Sequence, residues 1–184
     1  MKREIYLAAG CFWGAEHYLK CVEGVLSTEV GFANGNTEHP SYKEVYTDTT
    51  GYAECVHVIY DDALLPLAKL LEIYFKAIDP TSLNKQGEDE GTRYRTGIYY
   101  LPANEASELP VIRREFDAVQ QRESLPLRVE VLPLRNFWPA EEYHQDYLNK
   151  HPEGYCHLPL ALFEYARKAN QRQADAEQKT SGEQ

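Results

Sequence analysis

Residues 5–14 read Ile-Tyr-Leu-Ala-Ala-Gly-Cys-Phe-Trp-Gly, and the change of rhythm inside this stretch decides the fold. Ile5 to Ala9 is a short apolar run closed by Gly10, the pattern of a buried strand. From Cys11 onward the period becomes helical. Ala15, Tyr18, Leu19 and Val22 fall on one stripe that ends at Gly24. A strand therefore feeds directly into a helix. Beyond it, Val25–Phe32 alternates, with Leu26, Thr28, Val30 and Phe32 expected on one side, and Glu54–Tyr60 alternates again. Pro66–Ile78 predicts an amphipathic helix with Pro66 in its first turn. Thr96–Leu101 and Arg128–Leu134 predict two more strands. Ala103–Arg122 predicts a helix that starts or kinks at Pro110, and Ala140–Lys150 a short helix after Pro139. Gly31–Tyr42 and Ser82–Tyr94 read as polar loops.

Strands and helices mix without strict alternation, so the expected fold is α+β. It is a single-domain two-layer sandwich with a mixed or antiparallel sheet, a ferredoxin-like core and long polar loops. The folded domain is expected over residues 1–167, and residues 168–184 are nearly all polar, the composition of a disordered tail. The 184 residues carry 19 Lys+Arg against 29 Asp+Glu, a net charge of -10 that disfavours a general basic face for nucleic acid. No apolar run approaches the roughly 18 residues needed to span a bilayer. Met1-Lys2-Arg3 before Ile5–Ala9 suggests an export signal, but Glu4 and the shortness of the run argue for a cytoplasmic protein. Four Cys, not densely spaced, suit free thiols better than a disulfide scaffold.

Cys11 stands where strand turns to helix. Unpaired backbone N–H groups and the positive end of the helix dipole favour thiolate there. Gly10 and Gly14 let another molecule approach, and Phe12 and Trp13 set two aromatic faces beside the sulfur. An inert buried Cys is the plain alternative, which these neighbours disfavour. In this setting Gly-Cys-Phe-Trp-Gly followed by Glu16 resembles the signature of the peptide methionine sulfoxide reductases of the A type. The resemblance continues in order through Glu29–Gly35, His39–Tyr42, Gly51–Glu54, Asp79–Thr81, Asn84–Gly87, Gly91–Arg95 and His144–Leu148. It spans Ile5 to about His157.

The resemblance implies thiol-dependent reduction of methionine S-sulfoxide, free or in proteins, and hence protein repair. It implies Cys11 as nucleophile, Phe12 and Trp13 as the apolar wall for the S-methyl group, and Glu54 as the acid that protonates the departing oxygen. Glu54 opens an otherwise apolar strand, so an inward side chain would be desolvated and its pKa raised; a solvent-facing carboxylate is the alternative. Tyr42 and Tyr94 carry over as donors to the sulfoxide oxygen and Asp89 as a site carboxylate, although Glu88 stands where the family usually has Asn. With 14 Tyr in the chain, packing alone would explain any one of them.

The cycle leaves a sulfenic acid on Cys11 that a second thiol must resolve. Cys21 lies ten residues along the same expected helix, about 15 Å away at the helical rise. Cys55 points to the face opposite Glu54. Cys156, in an aperiodic segment, matches the Gly-Tyr-Cys of two-cysteine members, although His157-Leu158-Pro159-Leu160 replaces their glycine-rich run. The resemblance thus implies a Cys11–Cys156 disulfide recycled by thioredoxin, with no bound cofactor, no metal and a monomeric enzyme. Tyr147 and Tyr155 could line the same pocket. Three rivals are weaker. A cysteine hydrolase or acyltransferase would pair Cys11 with one of the six His, but Gly10 and Gly14 lack the spacing of a nucleophile elbow. A metal site would use Cys11, His17 and Cys21, which a helix sets too far apart for one ion. A non-catalytic binding module gives no reason for an acid and two thiols in these settings.

Overall fold

In the computed structural model, which describes the backbone of residues 1–181 and the side chains through Gln171, β1 (Lys2–Ala9) is a central strand. It is paired antiparallel on one side with β3 (Ala53–Asp61) and on the other with β6 (Thr96–Tyr100). β2 (Val25–Ala33) joins β3 antiparallel, and β8 (Phe137–Pro139) extends that edge. β7 (Glu130–Pro133) pairs with β6 in parallel, so the six-stranded sheet is mixed, in the order β7-β6-β1-β3-β2-β8. A separate hairpin joins β4 (Lys85–Gln86) to β5 (Asp89–Glu90).

The strand period of two sorts the core. Ile5, Leu7 and Ala9 of β1 and Val56, Val58 and Tyr60 of β3 face the main apolar cluster. There they meet the helices: Tyr18 of α1 (Phe12–Lys20), Leu70 and Tyr74 of α3 (Leu67–Lys76), Ile112 of α4 (Glu105–Arg122) and Phe163 of α6 (Leu160–Ser181). Tyr6, Ala8, Ala53, Cys55 and Tyr99 face a smaller cluster closed by Leu101, Leu134 and Phe137. The remaining helices are short: α2 (Tyr42–Tyr46) and α5 (Tyr147–Lys150). No helix among the described residues is long and apolar enough to cross a membrane.

Many of the tyrosines are buried hydrogen-bond donors. Tyr18, Tyr52, Tyr60, Tyr74 and Tyr99 are among the largest fully buried side chains. Tyr18 Oη donates to Ile73 O at 2.6 Å, tying α1 to α3. Tyr74 Oη donates to Ala8 O at 2.7 Å and lies 3.3 Å from Gly97 O, so α3 holds the end of β1 against β6 just before Gly10. Each ring supplies apolar area to the core while its hydroxyl satisfies a carbonyl that water cannot reach.

Several sequence expectations change. A bulge between Val25 and Ser27 puts Leu26 at 48% exposure, so only Val30 and Phe32 of the expected stripe enter the core. The Ser82–Tyr94 loop contains the β4–β5 hairpin and a 3₁₀ turn at Thr92–Tyr94. α4 begins upstream of Pro110, which lies inside it. The helix expected over Ala140–Lys150 is broken into a 3₁₀ turn, Glu142–His144, and α5. Asp146 between them takes a left-handed conformation, φ 53°. The break has partners that compensate it. Asp146 N donates to Glu16 Oε1 at 2.6 Å, and the Gln145 amide accepts from Val30 N at 2.9 Å and donates to Val30 O at 2.8 Å. α6 runs across the boundary expected at residues 167/168, with Ala169 and Asn170 buried and Asn170 Nδ2 donating to Glu23 O and Leu64 O. Of the segment expected to be disordered, residues 182–184 lie outside the described residues.

Tyr74→Phe removes one buried donor from two carbonyls. It is expected to lower stability by about 1–2 kcal/mol, read as a reduced urea midpoint with unchanged m-value. An unchanged midpoint would mean that the strand ladder holds the end of β1 unaided.

Candidate active site

The chain leaves β1 through Gly10, φ 81°, where a Cβ would stand 2.9 Å from Gln86 Cβ; only glycine fits this turn. Cys11 follows as the N-cap of α1, 7% exposed, with its carbonyl accepting from Ala15 N. The N–H groups of Trp13 and Gly14 at the helix start draw the pKa of the sulfur down, without a side-chain capping bond. Burial outweighs them, helped by Glu54, and the thiol is held well above its ordinary value. The helix start favours thiolate, but the desolvation of the buried sulfur outweighs that pull and favours the thiol.

Glu54 sits on β3 opposite Phe32, 1% exposed and on the face that carries Val56 and Val58. Its Oε1 accepts from Phe12 N at 3.1 Å, directly after Cys11. Burial raises its pKa from 4.5 to about 8 against the pull of that bond and of Arg93, so the carboxyl is protonated at neutral pH. Cys55 lies on the opposite face at 0% exposure, as the strand period requires. Cys21 closes α1, its Sγ donating to His17 O at 3.2 Å.

Aromatic rings enclose the approach to Cys11. Phe12 packs on Phe32 at 5.7 Å and on Tyr42 at 6.4 Å. Trp13 stacks on Tyr147 at 3.8 Å and donates Nε1–H to His144 Nδ1 at 3.0 Å. His144 is 4% exposed and lies 4.4 Å from the Tyr42 ring, with Glu141 Oε2 3.5 Å from its other nitrogen. Glu141 also accepts from Tyr42 N at 3.2 Å, so one carboxylate holds both residues. Burial and the charge of Glu54 push the Tyr42 and Tyr94 hydroxyls up, so both remain donors. Tyr94 ends the 3₁₀ turn under the Arg93 guanidinium, 4.3 Å away, which Asp48 anchors at 2.5 Å. Tyr42, Tyr94, Glu54 and Cys11 thus converge. Of the supporting set of Glu141, His144 and Tyr147, only Tyr147 was expected to line the pocket; Glu141 and His144 have no assigned role in the sequence, although His144 opens the string His144–Leu148.

Asp89 stands on β5, with Oδ2 buried and without a hydrogen-bond partner. It faces Cys11, whose thiol its charge helps to push up. Tyr155 is near Asp89, and burial together with that carboxylate pushes its hydroxyl up to about 12. Cys156 lies over the first turn of α1: a Cβ on Gly14 would stand 3.1 Å from Cys156 Sγ. All four cysteines are free. A groove of about 410 Å³ opens beside Cys156, lined by His17, Leu148, Gly154, Phe163 and Arg167. Among the described residues no three His, Cys, Asp or Glu converge as a metal-holding group.

A thiol, a neutral carboxylic acid, two phenol donors and a second thiol, set against aromatic walls, can reduce a small polar group attached to sulfur. Residues 3–177 match the family model of peptide methionine sulfoxide reductase. Peptide methionine sulfoxide reductase MsrA of Clostridium acetobutylicum is 52% identical over 160 residues, 87% of this chain and 97% of that protein. The MsrA of Lachnoclostridium phytofermentans is 50% identical over 169 residues, 92% of this chain and 100% of that protein. Among solved structures, reduced Mxr1 from Saccharomyces cerevisiae superposes with a TM-score of 0.76 at 36% identity, covering 86% of this chain and 92% of that one. Methionine sulfoxide reductase A of Corynebacterium diphtheriae gives 0.74 at 34%, covering 84% and 77%.

The raised pKa of Glu54 makes a prediction free of any substrate. Between 4.5 and about 8 the native state keeps a proton that the unfolded chain loses, so this group lowers stability as pH rises through that interval. Glu54→Gln keeps the acceptor for Phe12 N–H and removes that loss. The Tm of the variant relative to the parent is expected to climb between about pH 5 and pH 9 and to level off above. A Tm difference independent of pH would mean that the carboxyl is in water.

Proposed function

The chain belongs to the peptide methionine sulfoxide reductase family, and on that premise we propose that Cys11, Glu54 and Cys156 carry its thiol-dependent reduction of methionine sulfoxide. The observation that supports this reading most is a protonated, fully buried carboxyl beside a thiol at a helix start. A sulfoxide oxygen needs a proton as its bond to sulfur weakens, and Glu54 holds one up to about pH 8. Family membership also removes the reason for the hydrolase reading.

In the proposed cycle the Cys11 sulfur, as thiolate, attacks the sulfoxide sulfur while Glu54 protonates the oxygen and Tyr42 and Tyr94 donate to it. Phe12 and Trp13 hold the S-methyl group. The oxygen passes from methionine sulfur to Cys11 sulfur. Methionine is released and Cys11 becomes sulfenic acid, its oxygen keeping the proton from Glu54, while the Cys11 thiol proton takes that proton's place on the Glu54 carboxyl. Asp89 is the site carboxylate that takes part in binding the substrate. Cys156 then attacks Cys11, expelling water and forming the Cys11–Cys156 disulfide. Thioredoxin, approaching along the groove beside Cys156, exchanges its dithiol for that disulfide. The cycle needs no bound cofactor. We take the enzyme to act as a cytoplasmic monomer on the S epimer, since the two sulfoxide epimers have separate enzymes. The four central strands with crossover helices α1 and α3 support a ferredoxin-like, two-layer reading of the core.

The test is turnover of separated S and R epimers of a sulfoxide peptide with thioredoxin, for the parent enzyme and Cys156→Ser. The S epimer alone is expected to be reduced, with the variant halting after about one methionine per enzyme. Glu54→Gln is expected to lose about 10²–10⁴-fold in rate. Continued turnover by Cys156→Ser with thioredoxin would overturn the recycling route, and full activity of Glu54→Gln the role of the acid.

A further inference from the structure

His157 packs into the angle between β1 and α1, and its two ring nitrogens have different surroundings. Nε2 lies 3.1 Å from Ala9 O. A carbonyl only accepts, so Nε2 carries the hydrogen and Nδ1 presents a bare lone pair. Nδ1 is buried and has no hydrogen-bond partner. It faces the point over Gly14 where a Cβ would stand, 2.9 Å away, and Cys156 Sγ lies 3.1 Å from the same point. Gly14 lies in the first turn of the helix that Cys11 caps. A basic nitrogen and the second thiol thus meet over one glycine in the turn that carries the nucleophile, and the reduction step proposed above leaves His157 unused.

We propose that His157 is the base of the resolving step, taking the Cys156 thiol proton through Nδ1 so that the thiolate attacks the Cys11 sulfenic sulfur. This rests on the disulfide step of the functional reading. The S–S bond forms as the S–O bond of the sulfenic acid breaks. Cys156 sulfur is oxidised and Cys11 sulfur reduced, and the proton held on Nδ1 leaves with the departing hydroxide as water. Two further features suit the role. Burial holds the Cys156 thiol up, so it needs a base near neutral pH, and burial holds the imidazole down, so it is free to accept. The charged group facing the ring is Asp89 from the β4–β5 hairpin; β1 presents a carbonyl and β4 the neutral Gln86. Asp89 would also steady the imidazolium that forms.

The experiment is rapid-quench measurement of methionine release and disulfide formation, after mixing reduced enzyme with one equivalent of sulfoxide peptide, between about pH 6 and pH 9. In the parent, disulfide formation is expected to reach half its plateau at or below the ordinary imidazole value of about 6.5. In His157→Gln, which keeps a donor toward Ala9 O, the step is expected to slow at least tenfold at pH 7 relative to the variant's own methionine burst. It should recover as pH approaches the range in which the thiol ionises alone, about 8.5 and above. A slowing of the same size at every pH, or none beyond about twofold, would overturn the proposal. Should the variant fail to fold, the parent decides, since a disulfide rate that keeps climbing through about pH 8.5 also overturns it. Absence of a methionine burst in the parent would instead sink the functional reading, and this step with it.

Discussion

Phe12 N–H reaches Glu54 Oε1 across the junction of α1 and β3, and the chemistry of the site depends on what that contact leaves undone. One backbone donor is enough to orient the carboxyl but not enough to ionise it, because the rest of the group is surrounded by sheet and aromatic rings. Two or three more donors would have made it a carboxylate at any physiological pH. The same scarcity governs the thiol. Trp13 and Gly14 offer it two N–H groups, and burial still prevails. Nucleophile and acid both rest in neutral forms, so neither charge has to be held in the closed site before substrate arrives.

That arrangement requires a rigid frame, and buried hydroxyls supply much of it. Tyr18 and Tyr74 bond carbonyls of α3 and β1, and Tyr52 bonds Thr37 O in the loop after β2. Gly35, whose Cβ would fall on the Tyr52 ring, allows that close approach. Around the site itself the frame is polar: the Arg93–Asp48 ion pair over Tyr94, and the Glu141 carboxylate between Tyr42 N–H and His144.

The strands were legible where one face alternates, as in β3, and the placing of Glu54 and Cys55 on opposite faces follows from that period alone. The strand-to-helix turn at Gly10–Cys11 was legible too, since glycine and a helical stripe mark it. What stayed hidden depends on distant partners. Nothing near Gln145 and Asp146 announces a broken helix; the break exists because Glu16 and Val30, more than a hundred residues earlier, take up their hydrogen bonds. The pull of burial on Cys11 stayed hidden for a similar reason. The helix start is a local signal, whereas desolvation comes from the whole fold. His144 and Tyr147 gain meaning only when that broken segment lays them on Trp13.

The contacts that complete the site have another consequence, in the order of synthesis. Trp13 meets His144 across 131 residues, His157 meets Ala9 across 148, and Asn170 meets Glu23 across 147. Cys11 is synthesised well before the residues that enclose it. A growing chain therefore carries an unshielded Cys11 until Tyr147 and Cys156 have followed, lacking the aromatic wall and the second thiol. Such long-range closure also makes for slow folding. A chain stopped before residue 140 would hold the acid and the thiol on an intact central sheet and yet have no enclosed site for a sulfoxide.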